Sequence, residues 1–245
     1  MKNITMVNLV FSTSGRIDLF EDTLNSLIVH NKDINELINH VYILDDRSKL
    51  HERNQIELMI QNHFPNKGTL ITFNDSRERY AYVNKFKFLE NLSKTADYTL
   101  FIEEDWRSLA SMELNKHIQT FENDADLDQI VFSEHFWFQE EEVKKLCEID
   151  EIYWKPSNSK LFKHTYGFIQ NEDGSLTYKW MNSRPIFTFN PSLIRNRVFE
   201  IGRFEKMAGW EERFHDQVNA NQIATKQAKF VHTGEHRSAE GHIWS

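Results

Sequence analysis

The 245-residue chain is acidic, with 29 Lys and Arg against 37 Asp and Glu and a net charge of −8. That balance argues against a general nucleic-acid binder, because such a domain is normally basic overall. The 8 glycines include no G-x-G pair, and none of them precedes Lys-Ser or Lys-Thr. The sequence therefore lacks both the dinucleotide-binding fingerprint and the P-loop.

Cys147 is the only cysteine, which excludes an intramolecular disulfide and a cysteine-based zinc site. No stretch has the pattern of a signal peptide or approaches the ~20 apolar residues of a membrane helix. We therefore expect a cytoplasmic protein without a transmembrane segment, and leave open a peripheral association with a membrane. An aromatic content of 13% indicates a folded chain.

The first half of the chain alternates short apolar runs with segments of helical spacing. Strands are predicted at 6–11, 41–44, 70–73 and 98–102. Apolar residues three or four positions apart predict helices over 17–30, around 56–60 and over 80–92. Strands that alternate with helices indicate an α/β fold with a mostly parallel central sheet flanked by helices.

The second half has a weaker pattern. It predicts helices over 112–121 and within 209–222, and strands at 129–132, 187–189 and 229–231. Residues 150–180 show no clear period, and 136–138 form an aromatic cluster. No repeat or linker divides the chain, so we expect a single domain over 1–245.

Three predicted strands end in polar residues. These ends are Ser12, Thr13 and Ser14, then Asp45 and Asp46, then Glu103, Glu104 and Asp105. In open α/β sheets, ligands bind beyond the carboxyl ends of the strands. Three adjacent acids repel one another unless a cation is present, and Mg²⁺ or Mn²⁺ prefers carboxylate oxygens. A metal site and a solvated acidic turn both fit this triplet.

The other polar segments near predicted strand ends also allow two interpretations each. Arg16, at the predicted start of a helix, could bind a phosphate or simply belong to a capping turn. Asp45 and Asp46 could accept hydrogen bonds from a base or ribose, or could cap a helix. Glu212 could be a general base, or an acid that favours a helix start.

The order of these segments resembles glycosyltransferase family 2, whose catalytic domain has the GT-A fold. VNLVFSTSGRIDLFEDTLNSL resembles the family's opening strand, its turn with Arg and its TLxSL helix, and VYILDDRS resembles its vDDgS strand end. ADYTLFIEEDW resembles the acidic motif, GWEERFHD the segment that carries the base, and FVHTGEHRS the H-x-G start of the late H-x-G-x-x-S motif. The resemblance runs from about 7 to 238.

The resemblance implies a role for each matched residue. The nucleotide would be held by Thr13, Ser14, Arg16, Asp45 and Asp46, with positive charge added by Arg77 and Arg79. Glu103 and Glu104 would lie by the ribose and the metal. Asp105 would bind Mn²⁺ or Mg²⁺ directly, and His232 would complete the metal or diphosphate site.

Glu212 would be the catalytic base, with Glu211 beside it. Three departures from the family pattern accompany this assignment. The base position usually holds Asp, the acidic triplet here begins with two Glu, and the segment 74–84 lacks the family's Gly and Arg–Asn pair.

The implied activity is that of a metal-dependent, inverting glycosyltransferase of the hexosyl- or deoxyhexosyl-transferase type. A nucleotide-diphosphate sugar, with a UDP-sugar expected, would donate to a hydroxyl of a glycan, lipid-linked or protein acceptor. Residues 1–110 would bind the donor, and 111–245 would hold the acceptor and the base. Two alternatives stay open: a nucleotidyltransferase that forms a sugar nucleotide, and a non-catalytic glycan-binding module.

Overall fold

The computed structural model describes 6–73, 83–92, 94–132, 151–155, 166–170, 176–180, 189, 191–205, 213–214, 217–218, 220–225 and 229–233. The strands in these ranges are β1 Val7–Thr13, β2 Ile38–Asp46, β3 Gly68–Phe73, β4 Tyr98–Glu103, β5 Trp106–Ser108, β6 Leu127–Val131, β7 Glu151–Lys155, β8 Tyr166–Gln170, β9 Leu176–Trp180, β10 Ser192–Arg195, β11 Asn221–Thr225 and β12 Phe230–His232. The helices are α1 Ile17–His30, α2 Ile34–Leu37, α3 Leu50–His63, α4 Val83–Lys87, α5 Leu89–Leu92, α6 Leu114–Asn123 and α7 Val198–Ile201.

Ten of these strands form one sheet in the order β3-β2-β1-β4-β10-β6-β11-β7-β8-β9. Strands β3, β2, β1 and β4 are parallel to one another, and β10 runs antiparallel to both β4 and β6. Five of the six strands from β3 to β6 therefore point in the same direction. The predicted α/β fold, with a mostly parallel central sheet flanked by helices, is confirmed.

The two faces of the sheet carry separate apolar clusters because side chains alternate along a strand. In β1, Leu9 and Phe11 belong to the cluster that includes residues of α1, α3 and α6. Val10, between them, belongs to the cluster that includes residues of α4, α5 and α7. Helices therefore cover both faces, and the polar sheet edge at the carboxyl ends of β1, β2 and β4 lies between these two layers.

Helix α1 has the predicted bounds, but the helix predicted over 80–92 is observed, from residue 83 onwards, as α4 and α5. Phe88 lies between them, and its N–H bonds to the carbonyl of Lys85, a tighter link than an α-helix makes. None of the helices in the described ranges is long and apolar enough to cross a membrane.

The second half contains strands that the sequence pattern does not predict. The aperiodic segment 150–180 contains β7, β8 and β9, which pair antiparallel at one end of the sheet. Strand β11 begins at Asn221, inside the segment predicted as helical. Strand β10 begins at Ser192 and pairs between β4 and β6, whereas residues 187 and 188 of the strand predicted at 187–189 lie outside the described residues.

Candidate functional site

The carboxyl ends of β1, β2 and β4 meet at one edge of the sheet. Thr13 pairs with Asp45 across β1 and β2, and Ser12 pairs with Glu103 across β1 and β4. Because these three strands are parallel, the polar residues that end them lie side by side. The structure therefore brings together the three strand ends that the sequence singled out.

His232 reaches this edge from the far end of the chain. Strand β12 pairs antiparallel with β5, and His232 is opposite Trp106 in that register. The next residue, Thr233, donates from its backbone N at 2.8 Å and from its Oγ1 at 3.0 Å to the carbonyl oxygen of Asp105. These contacts place the Nε2 of His232 at 3.2 Å from the Oδ2 of Asp105.

The same oxygen of Asp105 is also in contact with the guanidinium of Arg16. The Nη1 of Arg16 lies 2.9 Å from the Oδ2 of Asp105. Burial of Asp105 would raise the pKa of its carboxyl, but the hydrogen bond to His232 and the charge of Arg16 together lower that pKa. The carboxylate is therefore ionised at neutral pH, as a metal ligand needs to be.

Glu104 lies within the site, but its carboxylate is directed into the protein. Its Oε2 accepts a hydrogen bond from the backbone N of Ser14 at 2.7 Å. Its Oε1 accepts one from the Oγ of Ser14 at 2.7 Å and one from the Nε of Arg16 at 2.5 Å. Both oxygens of Glu104 are thus engaged by the turn that joins β1 to α1.

Asp45 is also committed to a network within the protein. Its Oδ1 accepts hydrogen bonds from the Oγ1 of Thr13, at 3.0 Å, and from the Oγ of Ser48. Its Oδ2 accepts one from the Nε of Arg53 at 3.1 Å. These three donors come from β1, the turn after β2 and helix α3, so Asp45 holds the end of β2 in place.

Asp46, the last residue of β2, is buried and lies beside the guanidinium of the following residue. Its Oδ1 is 3.3 Å from the Nε of Arg47, whose backbone has a left-handed φ of 69°. Glu103, the last residue of β4, is half-buried. Four further predicted site residues lie outside the described residues: Arg77, Arg79, Glu211 and Glu212.

Sequence reasoning assigned no role in the site to Ser48, Arg53 or Thr233, all of which shape it. Ser48 and Arg53 hold Asp45, and Thr233 holds the backbone of Asp105. Trp106 packs its ring 5.0 Å from that of His232, and its buried Nε1 has no hydrogen-bond partner in the described structure. Ser48, three residues after Asp45, carries a signal that could have been used, because Asp and Ser at this spacing form local side-chain turns.

The described residues contain no group of three or more His, Cys, Asp and Glu side chains placed to hold a metal ion. Asp105 and His232 nevertheless offer one carboxylate oxygen and one imidazole nitrogen in direct proximity. A Mg²⁺ ion in a nucleotide site typically uses one or two carboxylates and completes its shell with phosphates and water. The pair therefore fits a divalent ion that binds together with a diphosphate, provided that Arg16 yields its contact with Asp105.

No family model and no curated protein matches the chain. Solved structures do match it, beginning with the mannosyltransferase PcManGT from Pyrobaculum calidifontis in complex with GDP-Man and Mn²⁺, at 12% identity and a TM-score of 0.61. GalNAc-T7 with UDP, GalNAc and Mn²⁺ matches at 12% identity with a TM-score of 0.58, and S. aureus TarS at 15% with 0.53.

The matches cover 97%, 95% and 94% of this chain, in that order. They cover 59% of PcManGT, 44% of GalNAc-T7 and 60% of the TarS chain, so the present chain spans about three fifths or less of each neighbour. At these identities the likeness concerns the fold. The chain has a GT-A glycosyltransferase fold.

Proposed function

We propose that the protein is an inverting glycosyltransferase that uses a nucleotide-diphosphate sugar and a divalent cation. The observation that carries the proposal is the convergence of Arg16, Asp105 and His232 at the carboxyl edge of the sheet. A guanidinium, a carboxylate and an imidazole at the ligand-binding edge of a GT-A fold suit the diphosphate of such a donor. PcManGT carries GDP-Man and GalNAc-T7 carries UDP, each together with Mn²⁺.

The diphosphate would lie beside Arg16, which keeps its positive charge at neutral pH. Burial of Arg16 would lower the pKa of its guanidinium, but Glu104 and Asp105 together outweigh burial and raise that pKa. Asp105 and His232 would hold the Mn²⁺ or Mg²⁺ ion, which as a Lewis acid supplies neutralisation of the departing diphosphate. On binding of the ion, Arg16 would release Asp105 and keep its hydrogen bond with Glu104.

The nucleoside would lie along the strand ends nearer β2. Asp46 would accept hydrogen bonds from the base or ribose, because an ionised carboxylate is a pure acceptor. Glu103 would lie by the ribose, and Arg77 and Arg79 would add positive charge. Asp45, Thr13 and Ser14 would support this surface through their hydrogen bonds within the protein. A UDP-sugar is the proposed donor.

The second half of the chain would hold the acceptor and the base. Glu212, with Glu211 beside it, would take the proton of the acceptor hydroxyl as its oxygen bonds to the anomeric carbon. The bond from that carbon to the diphosphate breaks on the opposite face, which inverts the configuration. The acceptor would be a glycan, a lipid-linked sugar or a protein.

A thermal-shift screen tests the proposal. UDP, GDP, CDP and dTDP are each added with Mn²⁺ or with chelator, because a ligand that binds only the folded state raises the melting temperature. We expect at least one nucleoside diphosphate to stabilise the protein with Mn²⁺, and transfer or hydrolysis of the matching nucleotide sugar to follow. No stabilisation by any of the four at millimolar concentration would refute the proposal. Release of pyrophosphate from a sugar phosphate and a nucleoside triphosphate would favour a nucleotidyltransferase instead.

A further inference from the structure

Glu104 ties together three parts of the chain that form the proposed donor site. Its backbone N donates to the carbonyl of Ser12 at 3.0 Å, which extends the pairing of β4 with β1. Its carbonyl accepts a hydrogen bond from the Oγ1 of Thr23 on α1 at 2.7 Å. Its carboxylate binds the turn between β1 and α1 through Ser14 and Arg16. One residue therefore connects the acidic strand end, the turn and the helix.

Because Glu104 is buried, its carboxylate depends on hydrogen-bond partners within the protein. The residue is only 1% exposed, and an ionised carboxylate removed from water is costly unless charges and donors compensate it. The compensating donors described for it belong to Ser14 and Arg16. At this exposure the carboxylate cannot reach a nucleotide or metal without leaving those donors.

Glu104 also determines where the guanidinium of Arg16 points. The guanidinium is planar, so fixing its Nε against the Oε1 of Glu104 fixes the plane and the direction of its other nitrogens. One of these, Nη1, lies 2.9 Å from the Oδ2 of Asp105. Gly15 permits the turn that places Arg16 beside Glu104, since the φ of Gly15, +82°, is unfavourable for a residue with a side chain.

We propose that Glu104 is a positioning residue, which aims the guanidinium of Arg16 at the place beside Asp105 where the diphosphate of the donor binds. The inference rests on the proposed function and assigns Glu104 a role other than contact with the ribose or metal. Glu104 acts through Arg16, so its removal lowers donor affinity by releasing Arg16, not by removing a ligand contact. A lysine at position 16 cannot substitute, because an ammonium group has no plane that a contact with Glu104 could fix, and so no second donor held in the direction of the diphosphate.

The test is a double-mutant cycle on Glu104 and Arg16. Wild type, Glu104→Gln, Arg16→Gln and the double variant are titrated with UDP and with GDP in the presence of Mn²⁺ by calorimetry. We expect each single variant to bind about tenfold or more weakly than wild type, and the double variant to bind no more weakly than Arg16→Gln alone. Arg16→Lys should recover little of the lost affinity.

Asp128→Asn is the matched control. Asp128 is another buried carboxylate paired with an arginine, the Nε of Arg197 at 2.8 Å, but it lies on β6 away from the strand ends of the site. This variant should lower the melting temperature because it removes the charge of a buried carboxylate from its partner arginine, while nucleotide affinity stays within about twofold of wild type. Ser14→Ala, which removes one donor to Glu104 and keeps both charges, provides a milder variant if Glu104→Gln does not fold, and should bind a few-fold more weakly than wild type.

The outcomes separate the inference from the proposed function. If wild type binds a nucleoside diphosphate but Glu104→Gln, or in its place Ser14→Ala, binds equally well, the positioning role is wrong and the proposed function stands. Losses that add in the double variant also overturn it, since Glu104 would then act independently of Arg16. If wild type binds no nucleoside diphosphate, both proposals fail.

Discussion

His232 and Asp105 come from opposite halves of the chain, yet the Nε2 of His232 lies 3.2 Å from the Oδ2 of Asp105. The antiparallel pair β5 and β12 places His232 opposite Trp106, the residue that follows Asp105. Two hydrogen bonds from Thr233 to the carbonyl of Asp105 reinforce this register. Backbone pairing therefore sets the relative position of the two side chains, without relying on side-chain contacts alone.

Removal of Asp105 should weaken metal-dependent nucleotide binding more than removal of His232. Asp105→Asn takes away a charged oxygen ligand, whereas His232→Ala takes away a neutral nitrogen that water can replace. We expect UDP or GDP affinity with Mn²⁺ to fall steeply in Asp105→Asn and less in His232→Ala. The measurement is calorimetric titration of each variant with Mn²⁺ and with chelator.

Asp97→Asn provides the control for this comparison. Asp97 immediately precedes β4 at the end opposite Asp105, where its Oδ2 accepts a hydrogen bond from the backbone N of Met6. The substitution should leave nucleotide affinity unchanged. If chelator does not alter the nucleotide affinity of wild type, the acidic end of β4 is not a metal site and a metal-independent mechanism replaces the one proposed.

Substitutions of the adjacent residues Asp45 and Asp46 should have different effects, the first mainly on protein stability and the second mainly on nucleotide binding. Asp45 is 0% exposed and accepts hydrogen bonds from Thr13, Ser48 and Arg53, so Asp45→Asn should lower the free energy of unfolding by about 2 kcal/mol. Asp46→Asn should cost less stability but weaken nucleotide binding. Urea denaturation and nucleotide titration measure the two effects, and a larger stability loss in Asp46→Asn would contradict the assignment.

Strands β1 to β4 and helices α1 and α3 could be predicted because each carries its own local pattern. Helix α1 has buried Leu19, Phe20, Leu24 and Leu27 at helical spacing, and its observed bounds, Ile17–His30, equal the predicted ones. The positions of the acids at the strand ends follow equally from local sequence, because each group of acids comes directly after an apolar run.

The remaining features depend on partners that are distant in the chain. Strand β10 is a short strand whose place between β4 and β6 follows from non-local pairing and not from its own sequence period. In the site, Glu104 is directed inward because its carboxylate accepts hydrogen bonds from Arg16 and Ser14. Asp45 is buried because Arg53 reaches it from α3. No local pattern distinguishes Glu104 from Glu103, whereas Ser48, three residues after Asp45, is a local signal for that acid.

The buried His117, which resists protonation in the folded state, should make the protein less stable as the pH falls below neutrality. It is 2% exposed on α6, its Nδ1 has no hydrogen-bond partner in the described structure, and its ring lies 5.2 Å from that of Phe132. Burial, with smaller contributions from Lys116 and Lys229, lowers the pKa of His117 to about 4. Because the unfolded chain keeps the usual pKa of 6.5, it binds the proton first as the pH falls.

The contribution of His117 is therefore fully present above pH ~6.5 and is lost as the pH falls towards about 4. A shift of this size corresponds to a loss on the order of 3 kcal/mol. Urea denaturation at pH 7 and pH 5 should show that His117→Leu loses less stability over this interval than wild type does. His51→Leu, at an exposed histidine on α3, should keep the wild-type dependence. Equal losses in wild type and His117→Leu would refute this origin of the acid sensitivity.

Glu212→Gln should keep donor binding but lose most of the sugar transfer. The amide is nearly the same size as the carboxylate but cannot accept the proton of the acceptor hydroxyl, and positioned base catalysis is typically worth about 10²–10⁴-fold. Transfer is measured with the nucleotide sugar whose nucleoside diphosphate stabilises the wild type, and donor binding is measured by titration of the same variant. Glu211→Gln is the matched control, because it removes one charge at the neighbouring position and should retain much more of the transfer rate. Transfer by Glu212→Gln at a rate near that of wild type would rule out Glu212 as the base, and a loss confined to Glu211→Gln would move the base to that neighbour.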